Sequence, residues 1–285
     1  LLNPEVTTLL AGRYIEIKVQ PLSFKEYLLF RQQENIEVKE AFDQYITYGG
    51  MLGAVQFLSK EESLKKYLSS ICDTVLYRDV IQKNKVRDPH ILEDVLHYGA
   101  DNVGNILSTK KITDYLNSNG KKASFETVDK YLRMLEQAYI FTRARRFDIK
   151  GKAWFKTNDK YFLADTGLRN QLIGFRGKDY GHLLENIVFN ELQLRSNTVA
   201  IGKYNDLEVD FVTIDFGQRK YYQVTTSMLD PNVAKRELKV LQAISDDYPK
   251  IILTLDEHNI GDFEGIKVIN VIKWFKQCKV KALAS

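Results

Sequence analysis

Asp210 sits in the string Glu208-Val209-Asp210-Phe211-Val212, and thirteen residues later Gln223 and Thr225 stand two apart in Tyr222-Gln223-Val224-Thr225. One kind of metal-dependent phosphodiester cleavage uses an Asp at the start of one strand, then an acid and a Lys two apart on the next. The carboxylates hold Mg2+, which polarises the phosphate and generates hydroxide, while the lysine stabilises charge on the attacked group. Here Asp210 fills the first position, Gln223 the paired one and Thr225 the lysine's. Glu185, upstream, is a further candidate, so that Asp210 and Glu185 would be the metal ligands, with Glu208 and Gln223 beside them. Gln223 still offers a carbonyl oxygen, but Thr225 cannot replace a cation, so the pattern reads as a degenerate nuclease site. The alternative is that Asp210 and Glu185 are surface or salt-bridged acids at the rim of an α/β domain.

A second constellation is basic. Arg143, Arg145, Arg146, Lys150, Lys152, Lys156 and Lys160 share one short stretch with only Asp148 and Asp159 to oppose them, and Trp154 and Phe155 lie among them. Cations interleaved with aromatics suit contact with nucleic-acid phosphates. The preceding amphipathic segment mixes Glu126, Asp129 and Glu136 with Lys130 and Arg133, less basic than a strong major-groove reader. Protein docking therefore stands beside DNA contact. Nucleotide hydrolysis is not expected from this stretch of chain, because no segment fits G-x-x-x-x-G-K-[ST]; Gly120-Lys121-Lys122 lacks both the first glycine and the hydroxyl. His90, His97, His182 and His258 do not cluster with the two cysteines, Cys72 and Cys278, which speaks against a zinc site.

The elements that must position these groups follow from periodicity. Tyr14 to Val19 alternates as a strand, Ser23 and Glu26 form a capping box, and Leu64, Leu68, Ile71 and Val75 mark one helix face. The charged stretch Arg31 to Glu40 reads as a surface connection. Helices then open at Asp88-Pro89, near Ser108 and at Ser124. Two strand-like runs follow, Tyr139 to Phe147 and Ala153 to Leu163, and the three helices with this basic hairpin predict a winged helix-turn-helix. Beyond it come a helix over 181–194, strands over 199–204, 207–214 and 220–226, a helix from Pro231 and an all-apolar central strand, Ile251 to Leu255. A strand near 266–271 and a helix through Trp274 close the chain. The α-β-β-β-α-β order is the core order of restriction-endonuclease-like nucleases. The expected fold class is multi-domain α/β: a helical ATPase remnant over 1–84, a winged helix-turn-helix over 85–165 and a degenerate restriction-endonuclease-like domain over 166–285.

The 285 residues carry 44% hydrophobic and 27% charged side chains and a net charge of +4, the balance of a packed protein with a mildly basic surface. No apolar run approaches a membrane span and two distant cysteines suit a reducing compartment, so the chain is expected to be cytoplasmic. It begins Leu1-Leu2-Asn3-Pro4 without an initiator Met, which reads as a boundary inside a longer protein.

Leu9-Leu10-Ala11-Gly12-Arg13-Tyr14 followed by Gln20-Pro21-Leu22-Ser23-Phe24-Lys25-Glu26-Tyr27-Leu28 resembles the end of the ATPase core in a large prokaryotic family of AAA-type ATPases. Tyr48-Gly49-Gly50, the run Tyr161 to Asn170, Gly181 to Asn186, Glu208 to Val212 and Tyr222-Gln223-Val224 are similar to that family's C-terminal half. After Gly49-Gly50 this chain has Met51-Leu52-Gly53, where the family usually shows a proline. The resemblance implies a parent protein that couples an ATPase core, with its ATP and Mg2+, to a winged helix and a nuclease-like domain. Arg13 matches the arginine after the core's last sensor region, so it stands as either a finger toward a neighbour's nucleotide or a structural arginine at a turn. The expected roles are DNA-contacting or regulatory binding, with a Mg2+-dependent nuclease and a protein-docking scaffold as alternatives.

Overall fold

The computed structural model describes residues 18–155 and 159–277. The architecture is mixed α/β, with eleven α-helices among the described residues, a small three-stranded sheet and a large mixed sheet of eight strands. Among the same residues, no helix is long and apolar enough to cross a membrane. The strand expected at Tyr14 to Val19 lies almost wholly outside the described residues, as do Arg13, Lys156 and Cys278.

Helix α1 (Phe24–Phe30) starts at Ser23 with the expected capping box: Ser23 accepts from the Glu26 N–H, and the Glu26 carboxylate accepts from the Ser23 N–H at 2.8 Å. Most described side chains of the charged stretch after it are exposed, as a surface connection requires, but its first residue is not. Arg31 is buried, donating to the Tyr27 hydroxyl at 3.0 Å and pairing with Glu34, and the next helix, α2 (Val38–Tyr48), already starts inside that stretch. Short α3 (Leu52–Val55) and long α4 (Glu61–Thr74) follow, the latter running on as a π-type segment over Val75–Gln82.

The next helices are α5 (Pro89–Asp101), capped by Asp88, α6 (Thr109–Ser118), capped by Ser108, and α7 (Phe125–Gln137), capped by Ser124. Each cap oxygen accepts from a backbone N–H of the first turn, as the sequence led one to expect. Strand β1 (Ile106–Leu107) between α5 and α6 is too short to leave a periodic trace. The basic hairpin departs from expectation. Its rising run divides into β2 (Phe141–Ala144) and β3 (Arg146–Asp148), and its returning run into β4 (Ala153–Trp154) and β5 (Asp159–Leu163). The inner halves form the small sheet, ordered β1-β5-β2, whereas the outer halves leave it to join the large one.

Helices α8 (Thr166–Ile173) and α9 (Tyr180–Arg195) lead into β6 (Thr198–Tyr204), β7 (Leu207–Asp215) and β8 (Gln218–Thr225). Helix α10 (Pro231–Gln242), β9 (Lys250–Thr254), β10 (Gly261–Phe263), β11 (Ile266–Asn270) and α11 (Val271–Lys276) complete the described chain. The large sheet is ordered β10-β11-β9-β8-β7-β6-β3-β4, with β9 interior as its all-apolar sequence requires. Strand β3 runs parallel to β6, Arg146 opposite Ile201, so the outer hairpin is an edge of this sheet and not a free wing.

One face of the sheet packs on α10 through Val209, Val212, Tyr221, Val240, Leu241 and Ile252. The other meets α9 and continues without a break into the helical parts. Phe162 of β5 stacks on Phe189 of α9 at 4.3 Å, and both touch Phe211 of β7. At the far end, Phe24 and Phe42 pack against Phe275 of α11. One apolar core thus reaches all three stretches read from the sequence.

Two of the resembling strings turn out to be halves of one clamp. The buried Asp165, N-cap of α8, accepts from the Gly50 N–H at 2.7 Å and from the Leu168 N–H at 3.0 Å. Asn170 donates to the carbonyls of Ile46 and Thr47 at the end of α2. Gly49 has φ +77°, and a Cβ there would lie 2.0 Å from Asp165 Oδ1, so only glycine fits. Burial pushes the Asp165 carboxyl up to about 6 despite these donors.

Candidate functional site

The acids singled out in the sequence do converge, and what they converge on is Lys160. Asn186 of α9 both accepts from the Leu163 N–H and donates to the Leu163 carbonyl, fixing β5 against that helix. Three residues earlier on β5, the Lys160 ammonium lies 3.0 Å from Glu185 Oε1 and 2.8 Å from Glu208 Oε1. Its side chain is only 5% exposed. Burial opposes the lysine's charge, but attraction from Glu185, Asp210 and Glu208 outweighs it and holds the ammonium protonated well above its usual range. Burial likewise raises the Glu185 carboxyl, with Lys160 opposing, and raises Asp210 further, with Glu185 adding to the effect. Lys160 belonged, in sequence, to the basic hairpin; no local signal separates it from its neighbours.

Asp210 and Gln223 are committed to the backbone. The register between β6 and β7 shifts between Ala200 and Gly202, so β7 carries an extra residue at Asp210–Phe211. That bulge turns Phe211 toward α9, while Val209 and Val212 both face α10. The backbone ladder between β7 and β8 runs from Asp215↔Gln218 to Phe211↔Tyr222. Beyond it, side chains take over. The Asp210 N–H donates to Gln223 Oε1, and the Val224 N–H donates to Asp210 Oδ2, both at 2.8 Å. Gln223 Nε2 in turn donates to Glu237 of α10 at 2.8 Å. The amide oxygen that the sequence left free for a metal is therefore spent on the main chain. Thr225, at the lysine position, donates its hydroxyl to the Ser227 carbonyl.

A magnesium ion does not fit this donor set. Two of the three acids are ion-paired to Lys160, the third has an oxygen fixed by Val224, and the glutamine oxygen is occupied. Among the described residues, no three His, Cys, Asp or Glu side chains come together as metal ligands. Beside the cluster opens a cavity of about 490 Å³, lined by Tyr98, Asn102, Lys111, His182 and the Lys160 pairs. His182 and Glu185, neighbours on α9, both face it across Gly104, whose φ is +76°.

The basic residues separate into two groups. Arg143 is tied to Asp159, Nε to Oδ2 at 2.6 Å, and the Arg146 N–H donates to the other oxygen of the same carboxylate. The Arg146 guanidinium lies 5.1 Å from the centre of the Phe155 ring, its Nε buried without a hydrogen-bond partner. Lys160 is buried, Arg146 half-buried and Arg143 exposed but spent on Asp159, so these three do not form the free basic wing expected of them. Arg145, Lys150 and Lys152 do remain exposed, and none is ion-paired among the described residues. Arg145 sits 5.0 Å over Trp154, which is 39% exposed, and Trp154 meets Phe147 edge-on at 5.2 Å. The Arg219 guanidinium also lies over the Phe147 ring, 5.0 Å from its centre. Asp148 shapes the tip by accepting from the Lys150 and Gly151 N–H groups. Trp154 and Phe155 thus serve as platforms for arginines, on successive residues of one edge.

Comparison with known proteins places the chain. It is 39% identical over 280 residues to an uncharacterized protein of Haemophilus influenzae, the match covering 97% of this chain and 68% of that one. The chain belongs to that protein's family. It is also 28% identical over 283 residues to an uncharacterized protein of Methanocaldococcus jannaschii, covering 94% of this chain and 63% of the relative. The chain thus spans about two thirds of the length of these relatives. Residues 39–179 match a family model described as a domain of unknown function, DUF8612. That match takes in Lys160 and the basic hairpin but ends before Glu185, Glu208 and Asp210. No solved structure matches.

Proposed function

We propose that this chain is the C-terminal region of a prokaryotic AAA-type ATPase and serves it as a regulatory module that contacts double-stranded DNA through the β3–β4 hairpin. Helices α5–α7 with the small sheet fit a winged helix, and the large sheet between α9 and α10 fits a nuclease-like domain put to a binding use. Nucleotide hydrolysis, with ATP and Mg2+, is assigned to the parent protein's core.

One observation carries the reading: Arg145, Lys150 and Lys152 lie exposed at the outer hairpin, without ion pairs among the described residues, Arg145 held over the half-exposed Trp154. An aromatic platform restrains a guanidinium and leaves its N–H edges free for phosphate oxygens. The nuclease alternative draws less support, because Gln223 is bonded to the backbone and Lys160 pairs with two of the acids.

Fluorescence anisotropy with labelled duplex DNA across a salt series tests the proposal. Binding that weakens steeply with salt, and that R145E/K150E/K152E abolishes, is the expected result. A weak, flat signal at low salt overturns it and leaves protein docking as the better reading.

A further inference from the structure

The Lys160 cluster supports an inference that does not depend on DNA contact. Glu185, Glu208 and Asp210 come from a helix and a bulged strand of the larger α/β part; Glu185 and Glu208 line the cavity, and Asp210 lies near enough to act on both Glu185 and Lys160. Carboxylates so placed repel, and proteins stabilise such a set with either a bound divalent ion or a basic side chain. Here the cation arrives from outside that layer, on the central strand of the small sheet. The α5–β1 loop closes over the pair: a Cβ on Gly104 would come within 3.0 Å of Glu185 Oε2.

We infer that the Lys160 ammonium is the resident cation of this pocket, taking the place of a divalent metal and fastening the small sheet to the large one. Two features of the sequence then have a common cause. The strand position for a lysine holds Thr225, and that of the paired acid holds Gln223, because the charge is supplied from β5 and the amide is used to extend the β7–β8 ladder. The pocket is a latent metal site that the chain itself keeps closed.

Mn2+ binding to the full chain, followed by electron paramagnetic resonance, tests this. Wild type is expected to bind no Mn2+ at the cluster. K160M is expected to gain one site per chain, which D210N removes in the same background, while K160R stays silent because it keeps the cation. K160Q serves in place of K160M if the latter fails to fold, and Mg2+ should then raise the midpoint of thermal unfolding of the lysine-less variant but not of wild type. A wild-type Mn2+ site that D210N abolishes overturns the inference, and so does a folded lysine-less variant that gains no site.

Discussion

Lys160 and the tip of the β3–β4 hairpin come from one basic run, yet they occupy opposite physical settings. Lys160 is buried, held by two carboxylates, and its charge is needed to make three acids tolerable in one pocket. Arg145, Lys150 and Lys152 are exposed and unpaired by any described carboxylate, so their charge is free for a partner. The difference lies in which sheet each half of the hairpin joins. The inner half, β2 and β5, turns inward against α9; the outer half, β3 and β4, becomes the margin of the large sheet. Identical residue types therefore serve cohesion at one end of the run and recognition at the other.

The sharpest way to break this comparison is to remove charge at each end and compare stability. K160M leaves buried carboxylates uncompensated and is expected to cost about 3–5 kcal/mol in urea unfolding. R145E/K150E/K152E removes only exposed charges and is expected to stay within about 1 kcal/mol of wild type. Equal losses from the two variants would erase the distinction.

The Asp165 clamp extends the buried side. Its carboxyl is raised to about 6 from the ordinary 3.8, so the native chain holds that proton more tightly than the unfolded chain does. This contribution to stability is fully present below pH 4 and is lost as pH rises through about 6, with a slope of at most about 1.4 kcal/mol per unit. Urea midpoints of wild type relative to D165N should fall across that window. A parallel pair of curves would show that Asp165 does not titrate there.

On the exposed side, neutralising the same three residues as R145A/K150A/K152A, which leaves weaker binding to measure, should flatten the dependence of log binding constant on log salt by about 2–3 units for duplex DNA. W154A is the mildest change: losing the platform under Arg145 should weaken binding by about 0.5–1 kcal/mol without altering the salt slope. A changed slope would mean that Trp154 positions more than one cation.

Most elements could be read from the sequence, because caps and apolar periodicity are local. Ser23, Asp88, Ser108, Ser124 and Pro231 mark helix starts by bonds within one turn, or by a preset φ, and the structure has helices at each. The approximate places of β6, β7, β8 and β9 followed from alternation and apolar runs in the same way. β1 and β10, two and three residues long, were too short to show. The burial of Arg31 did not show, because Gln44, which joins its local partners Tyr27 and Glu34, lies thirteen residues away on α2. The same limit applied at the candidate site. Asp210, Glu185 and Glu208 stood out by type, but a bulge one residue long is invisible to a period of two, and so was the turning of Asp210 and Gln223 onto the backbone.

By itself, then, the sequence determined the helices, the order of the main strands, the acids worth watching and the basic character of the hairpin. Only the tertiary structure decided that the hairpin splits between two sheets and that Lys160 becomes the counter-charge of acids 25 and 48 residues away. The physical reason is that caps and periodicity act over a few residues. Charge pairing, burial and sheet membership are instead set by which distant strands meet.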